Sequence, residues 1–417
     1  MKRARVVVTG YGALTSLGEN SEEIWSSILK NKLGYKLCPL SNPLIKSKYF
    51  AFLPENNERY GFIPKRILRA LPFFAKNALV ASHEAMTMAF KGSAASISDY
   101  YVSSQCGVIL GTGWGGLDEA YQLRDHYRDI GFSNPLGSLI SMPNIATAAC
   151  TMMWNLRGYQ NTINAACATG TIAIGEAYQA ILQGRALMML AGGSETLRNE
   201  TNIWNIDSLN ALSKEQNDIT AASCPFDIRR SGFVLAEGAA VLCLEEMEHA
   251  KNRGAKIFGE ITGYGNYSDA SDYTSPAKDM QARINSIQFA LGQADIKPTD
   301  IGYINAHGTS TQLNDINETN TIKSVFGESA YKTPISSTKG YSGHLISAAG
   351  SFESILCLKV LESNILPATA NLIEKDDLCN LDYIPLVHRE NCVVNKILNL
   401  SFGFGGANAA LIIERFE

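Results

Sequence analysis

Short apolar runs alternate along the chain with longer stretches in which apolar residues recur at helical spacing. Uninterrupted apolar runs that end near glycine predict buried strands, as at residues 5–9, 106–110 and 187–191. Apolar residues spaced three and four apart predict helices, as at residues 72–90 and 171–183. Strands that alternate with helices in this way predict an α/β fold.

The same pattern occurs twice. The segment VTGYG at residues 8–12 returns as ITGYG at residues 261–265, each time at the end of a predicted strand. Later elements recur in the same order: residues 107–110 correspond to 301–305, the turn and helix around residue 167 to 335–361, and residues 187–191 to 397–401. This repeat predicts two similar halves, residues 1–253 and 254–417, packed into one unit of helices and two sheets.

The composition narrows the class of protein. The 417 residues are 46% hydrophobic, enough for a large core, and a net charge of −4 gives no basic field for nucleic acid or a membrane surface. No apolar run approaches the roughly 20 residues of a membrane span, and the run at residues 5–9 is too short for a signal peptide. The sequence therefore predicts a cytoplasmic protein that binds neither nucleic acid nor membrane.

The nine cysteines and six histidines are dispersed along the chain. They form no CxxC pair and show none of the spacings typical of metal ligands. This distribution predicts free thiols in a reducing compartment and no metal site.

Cys167 stands on a predicted turn between a strand and a helix. Its neighbours Ala166 and Ala168 are small, which leaves room for a substrate. The positive end of the helix dipole and unpaired backbone N–H groups favour the thiolate, the form that attacks carbonyl groups. A small buried core cysteine is the alternative, and the turn alone leaves both interpretations open.

Two histidines in the second half have similar surroundings. His307 lies at a predicted strand end in NAHGTST, and His344 lies at a predicted helix start, five residues after Lys339. If a pseudo-two-fold relates the halves, His344 occupies the turn equivalent to Cys167, and the two residues face each other. Because a nucleophile and its partners converge in space rather than in sequence, a joint site is favoured over coincidence.

Two further features are less specific. GTGWGG at residues 111–116 has the glycines of a phosphate loop without its lysine, and it lies too late for a dinucleotide fingerprint. Lys65, Arg66 and Arg69 precede the predicted helix at residues 72–90. An ordinary solvated helix start is the alternative to a docking patch for this basic trio.

Taken together, these residues carry a family resemblance. The chain resembles the β-ketoacyl-acyl carrier protein synthases, condensing enzymes of the thiolase-like fold, and most nearly the type II elongating class. The matching segments are ACATG at 166–170, NAHGTST at 305–311, STK at 337–339 with GH at 343–344, AAG at 348–350 with Glu353, and SFGFGG at 401–406. The resemblance covers essentially the whole chain and implies a dimer and a five-layered α-β-α-β-α sandwich.

The resemblance also implies a mechanism. Cys167 would take an acyl chain from an acyl carrier protein as a thioester, with the backbone N–H groups of Cys167 and Phe404 as the oxyanion hole. Malonyl-carrier protein would then lose CO2, and the resulting carbanion would attack the thioester. His307 and His344 would stabilise the enolate oxygen and assist the loss of CO2.

Further residues take roles by the same resemblance. Lys339 would fix the charge near His307, with Glu353 as its partner, while Phe402 and Phe404 belong to the loop that gates the site. Thr309 and Thr311 would hydrogen-bond the phosphopantetheine arm. The carrier protein supplies that arm, so no bound cofactor is implied.

The pair of histidines distinguishes among relatives. A thiolase would carry a second reactive cysteine near the C-terminus, where this chain has Phe402-Gly403-Phe404. The initiating ketosynthases use Cys-His-Asn, and chain-length factors lack the nucleophile. A non-catalytic partner that only retains the fold is the contrasting hypothesis, and the intact set of Cys167, His307, His344 and Lys339 argues against it.

Departures from the usual elongating sequence indicate specialisation. Residues 32–64 differ, but the basic trio is retained, which favours docking of an acidic carrier protein. Near Lys214 a basic carrier-contacting position is displaced, with Glu215 beside it, so this part of the carrier interface departs from the usual pattern. Trp114 stands where a smaller aliphatic residue is usual, and we expect its bulk to redirect the acyl chain towards the dimer interface.

We therefore predict a ketosynthase of a specialised type II polyketide, polyene or fatty acid pathway, as a homodimer or as a heterodimer with a chain-length factor. A housekeeping enzyme of fatty acid synthesis is the alternative.

Overall fold

The computed structural model describes residues 4–90, 94–215 and 217–417. Residues 1–3, with which the predicted N-terminal half begins, lie outside these ranges, as do residues 91–93 and 216. The strands are β1 (Val6–Thr15), β2 (Lys36–Leu37), β3 (Tyr49–Ala51), β4 (Cys106–Gly111), β5 (Gln160–Ile163), β6 (Met188–Glu195), β7 (Leu235–Ala236), β8 (Gly238–Glu246), β9 (Gly259–Ser268), β10 (Tyr303–Asn305), β11 (Ile335–Ser336), β12 (Lys396–Gly403) and β13 (Ala407–Glu414).

Helices lie between most of these strands, as the alternating pattern predicts. They are α1 (Ser21–Leu29), α2 (Lys65–Leu68), α3 (Phe73–Ala89), α4 (Leu117–Ile130), α5 (Gly137–Ile140), α6 (Ile145–Trp154), α7 (Thr169–Leu182), α8 (Glu200–Ser208), α9 (Ile219–Ala222), α10 (Met247–Asn252), α11 (Gln281–Ala294), α12 (Gln312–Phe326), α13 (Lys339–Ser342) and α14 (Ala349–Ser363).

Ten strands form a mixed sheet that consists of two equivalent halves. The strand order is β5-β4-β6-β8-β1 in the first half and β9-β13-β12-β10-β11 in the second. The three outer strands of each half, β5-β4-β6 and β12-β10-β11, are parallel to one another. The two strands nearest the junction, β8 and β1 in the first half and β13 and β9 in the second, pair antiparallel with their neighbours. The halves join through three residue pairs between β1 and β9. The internal repeat in the sequence is therefore a repeat of topology.

Helices cover both halves and also separate them. The central helices α7 and α14 pack against each other and against strands of both halves, while α3 packs outside β1 and β8 and α11 outside β9 and β13. These contacts give the five layers of an α-β-α-β-α sandwich. A side chain on Gly170 or Gly350 would meet the facing helix at 2.7 or 2.0 Å, so glycine permits the close approach of α7 and α14.

The same backbone turn precedes both central helices. The prediction that His344 is the equivalent of Cys167 in this turn is wrong by three residues. A 3₁₀ turn precedes each helix, and Ala166 and Ile346, its first residues, have φ values of 46° and 49°. This alignment makes Ser347 the equivalent of Cys167. His344 instead corresponds to Asn164, because it lies three residues before Ser347.

Some elements escape the sequence pattern. Residues 31–64 contain two short strands, β2 and β3, that join β7 in a small sheet. Helix α12 was not predicted, since its buried face carries the polar residues Asn314, Asp315, Glu318 and Thr319 rather than an apolar stripe. None of the helices in the described part of the chain has both the length and the apolar character that crossing a membrane requires.

Candidate active site

Cys167 lies on the 3₁₀ turn between β5 and α7, with a side chain that is only 5% exposed. The loop after β12 packs directly against this turn. A side chain at position 403 would meet the Ala165 carbonyl oxygen at 2.6 Å and the Cys167 nitrogen at 3.2 Å. Glycine at this position therefore lets the two segments approach each other.

The sulfur of Cys167 lies where two backbone donors converge. The backbone N–H groups of Phe404 and of Cys167 itself lie near it and favour its ionised form. Burial raises the thiol pKa to about 12, although the nearby Lys339 ammonium and these two N–H groups act in the opposite direction. The thiolate predicted from the turn is thus not the resting form, because desolvation outweighs the donors.

His307 and His344 meet Cys167 from the second half. The sulfur and a ring nitrogen of each histidine lie within 4.8 Å of one another, and the two ring centroids are 5.4 Å apart. His307 follows β10, and the main chain there is held by Glu318, which accepts hydrogen bonds from the N–H groups of His307 and Gly308 at 2.7 and 2.8 Å. The structure therefore brings the three predicted residues together.

The hydrogen bonds of the two rings define where each neutral imidazole carries its proton. The N–H of Ile346 points at Nδ1 of His344 at 3.3 Å, so Nδ1 is an acceptor and the proton lies on Nε2. Lys339 Nζ lies 3.5 Å from Nδ1 of His307, and because an ammonium only donates, the same tautomer follows. Nε2 of His344 is buried without a partner among the described residues.

Both histidines are held neutral. Burial, followed by the charge of Lys339, lowers the pKa of His307 and of His344 well below the ordinary value for histidine. Two uncharged N–H donors that face the sulfur can stabilise an oxyanion or enolate oxygen without first losing a counter-charge.

Lys339 is buried at the start of α13 and pairs with Glu353 on α14. Its Nζ also donates to the His307 carbonyl oxygen at 2.6 Å. Burial raises the pKa of Glu353 to about 7, which the ammonium opposes. Since a buried ion pair is costly to break from one side, these contacts fix the position of His307 firmly.

A cavity of about 310 Å³ opens in front of Cys167 and is bordered by both histidines. The hydroxyls of Thr309 and Thr311 lie on its wall, 2.9 Å apart. Phe402, near the end of β12, and Phe404, just after the strand, also border the cavity; Phe402 is buried, while Phe404 is 36% exposed. The structure thus places the residues predicted for the pantetheine arm and the gate on the path to the sulfur.

The donor set of Cys167, His307 and His344 also resembles a three-ligand metal site. The charge around it is unfavourable to a cation, however, because the Lys339 ammonium lies 3.5 Å from Nδ1 of His307. The arrangement fits carbonyl chemistry better than metal binding.

Trp114 packs against an apolar cluster that contains Cys167, Phe233 and Ile346, and it does not line the cavity. The loop that carries it is held by the buried carboxylate of Glu195, which accepts from the Gly113 N–H at 2.7 Å. The indole therefore packs on the cluster that includes the nucleophile.

The basic trio lies on a separate surface. Lys65 and Arg66 are exposed on α2, and Arg69 is exposed immediately after it. Lys214 is exposed and borders the cavity.

Sequence reasoning missed two charged residues near the site. Glu318 supports the His307 main chain from α12, and Arg283 borders the cavity from α11. The charged residues themselves, on the inward faces of α11 and α12, were the signal in the sequence. They could not be recognised as inward-facing because the sequence pattern predicted neither helix.

Two family models match the chain. The description "Beta-ketoacyl synthase, N-terminal domain" matches residues 3–250, and "Beta-ketoacyl synthase, C-terminal domain" matches residues 258–373. Together they cover most of the chain, including Cys167, His307, His344 and Lys339.

Known proteins resemble the chain over its whole length. It is 33% identical to 3-oxoacyl-[acyl-carrier-protein] synthase 2 of Synechocystis sp. over all of this chain and 99% of that protein. A solved complex of a type II polyketide synthase acyl-carrier protein with its ketosynthase bound to a hexaketide is 31% identical, with a TM-score of 0.89 and full coverage of both chains. The ishigamide ketosynthase/chain length factor has 26% identity and a TM-score of 0.89, again over both full chains.

Proposed function

The chain belongs to the β-ketoacyl synthase family, and from this premise we propose how its own residues perform the condensation of malonyl-carrier protein with an acyl chain. The enzyme is an acyltransferase that extends an acyl thioester by decarboxylative Claisen condensation. The observation that carries the assignment of residues is the convergence of one sulfur and two neutral imidazoles within 4.8 Å.

In the first step the sulfur of Cys167 attacks the carbonyl carbon of an acyl-phosphopantetheine thioester. The N–H groups of Cys167 and Phe404, which lie beside the sulfur, receive the oxyanion. The bond to the pantetheine sulfur then breaks, and the proton of the Cys167 thiol leaves with the pantetheine thiol. Neither imidazole presents a lone pair to the sulfur in its present tautomer, so neither serves as the base.

In the second step a malonyl thioester occupies the same cavity. Its C–C bond to the carboxylate breaks, CO2 leaves, and the electron pair becomes an enolate whose oxygen accepts from Nε2–H of His307 and His344. The enolate carbon attacks the acyl carbon on Cys167. The C–S bond breaks and the Cys167 thiolate is released, ready for protonation.

A reconstituted assay tests this function. With acyl-carrier protein and malonyl-carrier protein, we expect a β-ketoacyl-carrier protein two carbons longer than the acyl donor, with one CO2 released per product. Formation of CO2 without the longer acyl chain from the unchanged protein would contradict a condensing activity.

We propose that the division of the chain near residues 253 and 254 separates two halves of this single unit, since the two family models meet there.

We propose that Lys65, Arg66 and Arg69 dock the acidic carrier protein. Reversing all three charges to Glu should raise KM for the carrier-bound substrate about tenfold at low salt, because surface charges steer association. The difference should shrink as salt increases. Steady-state kinetics at two salt concentrations measure this.

A matched control is Lys332→Glu, an exposed lysine just before β11, at the strand end remote from the site. If the charge-reversed variant shows the same rise in KM for acyl-pantetheine without its carrier protein, docking by the basic trio is excluded.

Trp114 is proposed to limit the straight acyl pocket. Trp114→Ala removes the indole that packs on the cluster around Cys167 and Ile346, so we expect longer saturated acyl chains to load. Loading rates across a series of acyl-carrier proteins of increasing length check this, with Trp204→Ala, a 38% exposed tryptophan on α8, as the control. An unchanged chain-length preference in Trp114→Ala would rule out the role.

We propose that the protein works as a dimer through the edge of its sheet. Strand β5 ends the strand order, and α6 beside it exposes Met152 by 55%. Similarity to a ketosynthase/chain length factor supports a heterodimer, and a homodimer is the alternative. Co-expression with candidate partners and native mass measurement of the complex distinguish the two.

The comparison with known ketosynthases also supports a proposal about the pathway in which the protein acts. We propose a specialised type II polyketide or fatty acid pathway, supported by Trp114 in the acyl region and by similarity to a type II polyketide ketosynthase. A cytoplasmic location is proposed with it, where carrier proteins are available. Efficient loading of saturated acyl chains over the whole range of lengths made in housekeeping fatty acid synthesis would contradict the specialised role.

A further inference from the structure

Arg283 is a buried arginine that the mechanism above does not use. Its side chain is 5% exposed, lies in the first turn of α11, and borders the cavity that contains Cys167 and His307. Nε and Nη1 are buried without a hydrogen-bond partner in the described part of the chain. Such an uncompensated buried guanidinium is costly, which indicates that a ligand completes it.

The guanidinium retains its charge. Burial lowers the pKa of Arg283 to about 10, while the carboxylates of Glu318, Asp269 and Asp315 oppose this change. Each of these carboxylates already accepts hydrogen bonds from other donors, and none lies within ion-pair distance of Arg283 in the described part of the chain. They balance its charge from a distance and leave its N–H groups available.

Arg283 is held close to the catalytic residues by an aromatic contact. Its guanidinium carbon lies 4.0 Å from the centroid of the Phe402 ring, a cation–π distance. The Phe402 ring centroid is in turn 5.8 Å from that of His307. Arg283 therefore borders the cavity beside a ring that contacts His307, where a small anion in the cavity can reach the guanidinium.

We propose that Arg283 binds the carboxylate of the malonyl extender before decarboxylation. This inference rests on the proposed function, because it assigns the second substrate of the same cavity. A guanidinium matches a carboxylate with two N–H···O hydrogen bonds. An ordinary acyl chain has no carboxylate, so the loading of Cys167 does not use Arg283.

The chemistry defines which kinetic constant Arg283 affects. When the C–C bond breaks, CO2 leaves uncharged and the negative charge moves to the enolate oxygen at His307 and His344. The interaction with Arg283 is thus stronger in the ground state than in the transition state. It selects the malonyl substrate and lowers KM without raising kcat.

The test compares Arg283→Met, which keeps a flexible side chain against Phe402, with Arg283→Lys, which keeps the charge. We expect Arg283→Met to raise KM for malonyl-carrier protein about 10- to 100-fold, to leave kcat unchanged or higher, and to leave the rate of acyl loading of Cys167 unchanged. Arg283→Lys should recover part of the loss. Lys256→Met removes a matched cation, 4.4 Å from the Phe258 ring and at the far end of β9, and should change neither constant.

Two outcomes overturn the inference. An unchanged KM for malonyl-carrier protein in Arg283→Met, with loading and condensation intact, excludes carboxylate binding. Equal slowing of loading and condensation shows that Arg283 only supports the Phe402 loop. Failure of the unchanged protein to load or condense counts against the proposed function instead, so the two failures are distinguishable.

Discussion

Cys167→Ala is expected to stop acyl loading and to lower condensation by about 10⁴-fold or more, since the covalent intermediate is lost with its nucleophile. Decarboxylation of malonyl-carrier protein should continue within about tenfold of the unchanged rate, because enolate stabilisation by the imidazoles does not involve the sulfur. Intact-protein mass after incubation with acyl-carrier protein measures loading, and CO2 release measures decarboxylation.

Cys150→Ala provides the matched control for this variant. Cys150 is also a fully buried thiol, but it lies on α6, outside the cavity. We expect Cys150→Ala to load and condense normally. Acyl loading that persists in Cys167→Ala would overturn the assignment of the nucleophile.

His307→Ala and His344→Ala should each lower condensation and malonyl decarboxylation about 10²- to 10³-fold, the usual effect of removing one preorganised donor. Acyl loading should persist, since its oxyanion is held by the backbone N–H groups of Cys167 and Phe404. Single-turnover assays of loading and of CO2 release separate the two steps.

The neutral state of the rings gives a sharper comparison. Because His344 is uncharged and donates from Nε2, His344→Asn should retain more decarboxylation than His344→Ala, as an amide N–H also donates without charge. His249→Ala, an exposed histidine on α10, serves as the control. Equal decarboxylation by His344→Ala and the unchanged protein would exclude the enolate role of this residue.

The repeat in the sequence predicts much of the fold because it reflects a real duplication of topology. VTGYG and ITGYG lie on β1 and β9, the two strands that join the halves of the sheet. The small residues around Cys167 predict the turn before α7, and the turn is found. The resemblance then brings Cys167, His307 and His344 into one site, and the geometry agrees.

Other features depend on information that a linear pattern does not contain. The equivalence of Ser347 with Cys167 is visible only from the positive φ values of Ala166 and Ile346. Burial decides the direction of the Cys167 pKa, and burial is a property of the packed layers rather than of the turn. Arg283 lies on α11, a helix whose pattern gave no prediction, so its place beside Phe402 could not be anticipated.

The central claim is that the growing chain is held on Cys167 and is attacked there by the malonyl-derived enolate. Peptide-level mass measurement tests it: the protein is incubated with acyl-carrier protein alone, and half of the sample is then chased with malonyl-carrier protein. We predict the acyl mass on the peptide that contains Cys167 before the chase, and its disappearance at the rate at which β-ketoacyl-carrier protein forms. Condensation at full rate with the acyl group on a different cysteine, or with no acylated peptide, would contradict the account.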